Sequence, residues 1–135
     1  MKLLANIDFD GQCREAFTAY ARILGGTIRA MISHGDAPDM HPPVPEDRMD
    51  RILHAWLDVG EEALMGQDMQ DYSGRKGMSV TVQADTPQDA QRIFSALAEG
   101  GKVGIPFGKQ PWSEGFGTTA DRWGVSWVID TAEQK

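Results

Sequence analysis

Two stretches of this chain share one ground plan, and that duplication limits the fold more than any single motif does. LLANIDFDGQCREAFTAYARILGG, residues 3 to 26, and MSVTVQADTPQDAQRIFSALAEGG, residues 78 to 101, stand 75 positions apart, and both end in Gly-Gly. Each opens with the period-two alternation of a half-buried strand: Ala5, Ile7 and Phe9 against Asn6 and Asp8, then Val80, Val82 and Ala84 against Ser79, Thr81 and Gln83. Each then changes to helical spacing, with Ala16, Phe17, Tyr20, Ile23 and Leu24 in one and Ala90, Ile93, Phe94, Leu97 and Ala98 in the other. Thr86, Pro87 and Asp89 form the start signal of the second helix, and the glycine pairs supply the left-handed residue at both helix ends.

Three strand candidates follow each glycine pair. In the first half they are 27–33, 52–59 and 63–69, the last two joined by a tight turn at Gly60-Glu61-Glu62. In the second they are 102–107, 115–119 and 125–130, the last two separated by Asp121-Arg122-Trp123-Gly124. The expected architecture is therefore α+β: two βαβββ modules, about 1–70 and 76–131, within one domain. Between Gly35 and Asp50 the run GDAPDMHPPVPEDRMD holds four prolines, which forbid regular structure and suggest a flap or a dimer contact.

A chain of 135 residues, 41% hydrophobic and 24% charged, can bury a core and belongs to neither the disordered nor the membrane-spanning class. Its net charge of −7, with no basic cluster, argues against nucleic acid and anionic membranes as partners. Cys13 is the lone cysteine and no signal peptide precedes Asp8 and Asp10, so the cytoplasm is the expected compartment.

FDGQCREAFTAYARILGG, ILHAWLDVGEEALMGQD and PWSEGFGTTADRWGVSWVID together resemble the PhnB-like branch of the vicinal oxygen chelate superfamily, which includes glyoxalase I, bleomycin-resistance proteins, fosfomycin-resistance enzymes and extradiol dioxygenases. The resemblance implies a U-shaped mixed sheet around a cavity, helices outside, and commonly a homodimer. It also implies a divalent metal held by His, Glu or Gln side chains from the strands. The matching positions here fall on Leu4 or Ala5, on or beside Ser79, on Val128 and on Gly66, with Met65 or Gln67 a one-residue slip away. No standard ligand stands at three of the four places, and His34, His41 and His54 share no ligand spacing. His34 and His41 read as solvated residues of the proline-rich stretch. No metal and no other cofactor is expected.

By alternation Asn6, Asp8, His54, Trp56, Asp58, Thr81 and Gln83 face a pocket, with Asp68 nearby and Trp112, Phe116 and Thr119 near its mouth. His54 is the candidate for proton transfer, with Asp58 or Asp68 to orient it. Trp112, Trp123 and Trp127 read as packing residues, Trp127 pointing at the core. Cys13, at a helix start, is expected to carry a somewhat lowered pKa but lacks a base. Two readings stay open: a metal-free protein that binds a small molecule, and a lyase, isomerase or dioxygenase of the vicinal oxygen chelate type. Relatives of this branch also carry a 3-demethylubiquinone-9 3-methyltransferase label, yet no glycine-rich strand-loop-helix for S-adenosylmethionine is present.

Overall fold

The computed structural model describes residues 1–39 and 43–132. The chain forms two compact units, Met1–Ser73 and Gly74–Lys135. The first contains β1 (Ala5–Phe9), α1 (Cys13–Leu24), β2 (Thr27–Ser33), β3 (Ile52–Val59) and β4 (Glu62–Asp68), in a sheet ordered β1-β4-β3-β2. β1 runs parallel to β4, and the other two pairings are antiparallel. The second contains β5 (Val80–Ala84), α2 (Pro87–Ala98), β6 (Lys102–Val103), β7 (Gly108–Gln110), β8 (Ser113–Ala120) and β9 (Ser126–Thr131). Its sheet is ordered β5-β9-β8-β6, with β5 parallel to β9 and β7 paired to β8. The duplication in sequence is thus a duplication of topology.

One helix covers one face of each sheet. In the first unit Phe9, Ala55 and Leu57 are buried against Ala16, Phe17 and Tyr20 of α1, and Phe17 stacks edge-on to Phe9 at 6.1 Å. Gly66 stands in the middle of β4 because a Cβ there would lie 2.5 Å from the Phe17 ring. In the second unit Trp127 and Ile129 are buried with Ile93, Phe94 and Leu97 of α2. Gly117 leaves room for Phe94 in the same way, a Cβ there falling 2.8 Å from its ring.

The glycine pairs divide two tasks between them. Gly25 and Gly100 have φ of 69° and 73°, the left-handed conformation that ends a helix. Their followers are required by packing. A Cβ on Gly26 would lie 2.5 Å from the Asp58 carbonyl oxygen, and one on Gly101 would overlap that of Ala120.

α2 starts as expected, with the Thr86 hydroxyl accepting from the Asp89 N–H at 3.1 Å. α1 has no side-chain cap of its own at Gln12. Its cap comes from β4: Asp68 Oδ1 accepts from the N–H groups of Gly11 at 2.9 Å and Cys13 at 3.1 Å, while Oδ2 accepts from Ile52 N–H at 2.8 Å. One buried carboxylate thereby ties the β1–α1 turn, the helix start and the head of β3 together. Asp121 does the same in the second unit, taking the N–H groups of Trp123 and Val125 and the Trp127 indole N–H, each at 2.9 Å.

Three expectations are corrected. The strand expected over 102–107 breaks after Val103, because Pro106 has no N–H and the Thr118 hydroxyl takes the Ile105 N–H at 2.8 Å. The proline-rich stretch is not wholly irregular: 3₁₀ turns at His34–Asp36 and Glu46–Arg48 close its ends, and Gly35 N–H donates to the Met49 carbonyl at 2.7 Å. His34 is buried, not solvated; it follows β2 directly and donates its N–H to the Arg51 carbonyl. His41 lies outside the described residues.

Asp68→Asn would set an amide donor against one of three N–H donors and remove the charge from the other contacts. We expect it to lower unfolding free energy by about 3 kcal/mol, measured by urea denaturation.

Candidate functional site

Since each helix occupies one face of its sheet, alternate residues of every strand are delivered to the other, open face. In the first unit strand register assembles them into rows. Asn6 pairs with Met65, Met65 with Trp56 and Trp56 with Ala30, giving a row of four strands. The next row holds Asp8 beside Gln67 and His54 beside Ile32, with His54 and Gln67 one step beyond the Ala55–Gly66 pair. Asp58 lies between Thr27 and Ala63. Asn6, Asp8, His54, Trp56 and Asp58 therefore share one face, as alternation predicts.

Side-chain contacts on this face were not all visible in advance. A register shift in β2 between Ile28 and Ala30 marks the position of Arg29. Its guanidinium carbon lies 4.2 Å from the Trp56 ring centroid, and its Nε stands 3.2 Å from Asp58 Oδ2. Trp56 completes the triangle by donating its indole N–H to Asp58 Oδ1 at 2.7 Å. The pair is half open to solvent and adds little stability, so its effect is to fix the orientation of the indole. Gln67 donates to Asp8 Oδ1 at 3.1 Å. The His54 ring packs beside Trp56 with centroids 6.4 Å apart.

Neither carboxylate expected to orient His54 does so. Asp58 is engaged by Arg29 and Trp56, and Asp68 is on the opposite face, 5% exposed, with both oxygens taken by backbone N–H groups. Asp68 leaves the candidate site.

In the second unit Thr81 is paired with Val128 and Gln83 with Asp130, and all four face away from α2. Phe116 shares this face, and the exposed Trp112 meets its ring edge-on at 5.3 Å. Thr119 does not belong there. It is buried on the helix side, 3% exposed, with its hydroxyl on the Lys102 carbonyl at 3.2 Å. A depression of about 270 Å³ opens near the other end of the sheet, lined among others by Ser79, Lys102, Thr118, Ser126 and Val128, and Thr119 also borders it although its side chain is buried. Trp127 is in the core, as expected, and Trp123 is half-buried beside Arg122 at 5.5 Å.

A model of the family described as 3-demethylubiquinone-9 3-methyltransferase matches residues 1–130. The chain belongs to this family. It is the PhnB-like branch of the vicinal oxygen chelate superfamily. The chain is 41% identical to protein PA1353 from Pseudomonas aeruginosa, with a TM-score of 0.89 over 99% of both chains. Protein YjdN of Escherichia coli K12 is 27% identical over 100% of this chain and 98% of its own. A Bacillus cereus PhnB protein, titled a putative 3-demethylubiquinone-9 3-methyltransferase, superposes with a TM-score of 0.80 at 24% identity, covering 98% of this chain and 100% of that one.

At the level of fold the chain also resembles fosfomycin resistance protein FosX of Listeria monocytogenes, with a TM-score of 0.66 at 5% identity over 96% of this chain and 90% of that one, a structure that is a complex with Mn(II). The residues here do not suit such an ion. Gly66 has no side chain and its Cβ direction is blocked by Phe17; Val128 has no donor atom. Met65 and Gln67 flank Gly66 on the open face, but Gln67 is committed to Asp8. Among the described residues, no three His, Cys, Asp or Glu side chains come together as a metal ligand set.

Cys13 departs from expectation in the opposite direction. Burial pushes its thiol up to about 12, the Asp68 carboxylate adds to the rise and Arg14 opposes it, so the helix start does not activate it. Because the folded value lies above the ordinary 9.0, the neutral thiol supports the fold fully below pH 9, and that support is lost as pH rises towards 12. Native protein at pH 8 should leave Cys13 unreacted with Ellman's reagent, and unfolding in guanidinium should release one thiol per chain.

Proposed function

We propose that this protein binds a small polar molecule on the open faces of its sheets and uses no resident divalent metal to do so. The observation that carries the reading is the composition of the open face in the first unit. Asn6, Asp8, Gln67, His54, Trp56 and Asp58 occupy the side of the sheet that α1 leaves uncovered, and Arg29 is laid over the indole. A face intended only for packing would carry apolar residues there. Polar groups around one oriented aromatic ring are instead the ingredients of a small-molecule site. By the family resemblance the ligand positions of metal-binding relatives would fall on Leu4 or Ala5, at or beside Ser79, on Val128 and on Gly66 or a neighbour, which supports the metal-free reading.

A methyl-transfer reading has less support. The β1–α1 turn, where a nucleotide-like cofactor would need free N–H groups, is engaged by Asp68, and each sheet has a single parallel pair. Proton transfer by His54 is the second reading. It draws on the alignment of Asp8, Gln67 and His54 along one row, and unchanged turnover in His54→Ala would remove it.

Metal analysis and native mass spectrometry on one untagged preparation test the proposal. The expected result is a non-covalent small molecule released unchanged, with divalent metal well below one equivalent. Near-stoichiometric zinc, nickel, iron or manganese would overturn it. Trp56→Ala should weaken retention of that molecule by about 1 kcal/mol or more while leaving the fold intact, since Trp56 is on the uncovered face.

We further propose that the protein works as a homodimer in the cytoplasm. In the second unit the exposed apolar side chains of Met78, Val103 and Ile105 support association, and no helix among the described residues is long and apolar enough to cross a membrane. Light scattering after size exclusion should give twice the 14.8 kDa chain mass.

A further inference from the structure

Asp130 is the residue whose chemistry the fold leaves unexplained. It lies on β9, on the face turned away from α2, next to Gln83 of β5 and one step beyond the Gly117–Ile129 pair, which brings Phe116 of β8 alongside it. Its Oδ1 is buried, and no protein donor reaches it. Among the described residues it is the only carboxylate oxygen in that condition. Burying an acceptor without a donor is costly, and more so for a carboxylate, which favours its charged form only where a partner or water compensates. Asp130 itself is half-buried, whereas the two fully buried acids among the described residues are satisfied: Asp68 by three backbone N–H groups, Asp121 by two and an indole.

We propose that Asp130 anchors the ligand of this protein, and that the ligand brings a protonated amine joined to an aromatic or otherwise flat apolar group. Asp130 as a residue is only half-buried, so an ammonium can reach its carboxylate and supply the donor that the protein withholds from Oδ1. Phe116, with Trp112 edge-on to it at 5.3 Å, supplies the ring surface that attracts both a cation and an apolar plane. Gln83 adds an amide that can accept a second N–H. A metal ion in place of the amine is disfavoured, since Phe116 has no donor and no three-member ligand set gathers among the described residues. The chain's net charge of −7 favours a cation of either kind.

This inference rests on the open faces being a binding surface, and the test separates the two. The full chain, labelled with ¹⁵N, is titrated with benzylammonium, benzyl alcohol and benzoate. Benzylammonium should give saturable shifts centred on Gln83, Phe116 and Asp130, binding about tenfold tighter than the alcohol, the scale of one charge-assisted hydrogen bond. Asp130→Asn should remove that preference without lowering the melting temperature, because no protein partner is lost. Equal binding of amine and alcohol, or an undiminished preference in the variant, would overturn the amine assignment while leaving the surface a binding site. So would the absence of saturable shifts from all three probes in a protein that still co-purifies with a small molecule. A melting temperature lowered in the variant, or stronger line-broadening at Asp130 by Mn(II) than the amine's own effect, would likewise overturn it by revealing a structural or metal-binding acid.

Discussion

Among the described residues the strands alternate their side chains between two faces and one helix packs on each sheet, so half of the strand residues are committed to a core beneath that helix and the other half are turned away from it. That asymmetry determines which residues can do chemistry. Ala55, Leu57, Ile129 and Trp127 pack under helices, and their neighbours His54, Trp56, Val128 and Asp130 are delivered to the opposite side. Helix placement in turn depends on close backbone approach. Gly26 and Gly101 bring the chain leaving each helix against the Asp58 and Ala120 carbonyls, and Gly66 and Gly117 let Phe17 and Phe94 sit directly on the sheet. Side chains at those four positions would lift the helices and disturb the division between faces.

Much of this was legible in the sequence because the alternating and helical patterns are clear where large apolar residues carry them. β2 and β3 have the boundaries expected, each helix buries four of its five anticipated residues, with Leu24 and Ala98 only half-buried, and Thr86 caps α2. Legibility failed where small or ambiguous residues carry the strand. In ALMGQDM three apolar residues are adjacent and glycine has no side chain, so parity is undefined and does not separate Asp68 from the face of His54. The true parity places it with Leu64 and Gly66, beneath the helix start. SEGFGTTA has the same defect. Phe116, its one large residue, is on the uncovered face, while Gly115 and Gly117 face inward to admit Phe107 and Phe94, which inverts the usual signal and misplaces Thr119.

Long-range capping is a second kind of information that no local pattern holds. The start of α1 has no Ser, Thr, Asp or Asn at its cap, and the acceptor comes from a strand 55 residues later. The same contact reverses what a helix start ordinarily does to cysteine. Cys13 receives the Asp68 carboxylate instead of free N–H groups, and its burial and that charge both favour the neutral thiol. Arg29 belongs with these cases, because a β-bulge is a property of strand pairing and leaves no trace in the order of residues Thr27 to Ser33.

The acids of this chain can be separated by what satisfies them. Asp68 and Asp121 are saturated by backbone and indole N–H groups and are part of how the fold closes. Asp58 is shared between Arg29 and the Trp56 indole, so its charge is used to orient an aromatic ring on an open face. Asp130 has a buried oxygen to which the protein offers nothing. A fold selected for stability alone could replace that residue by an amide or an apolar side chain at little cost, whereas replacing Asp68 would unpair three donors. Where satisfaction of polar groups explains a residue, its role is architectural; where it fails on an uncovered face beside aromatic rings, the missing donor has to come from outside the chain.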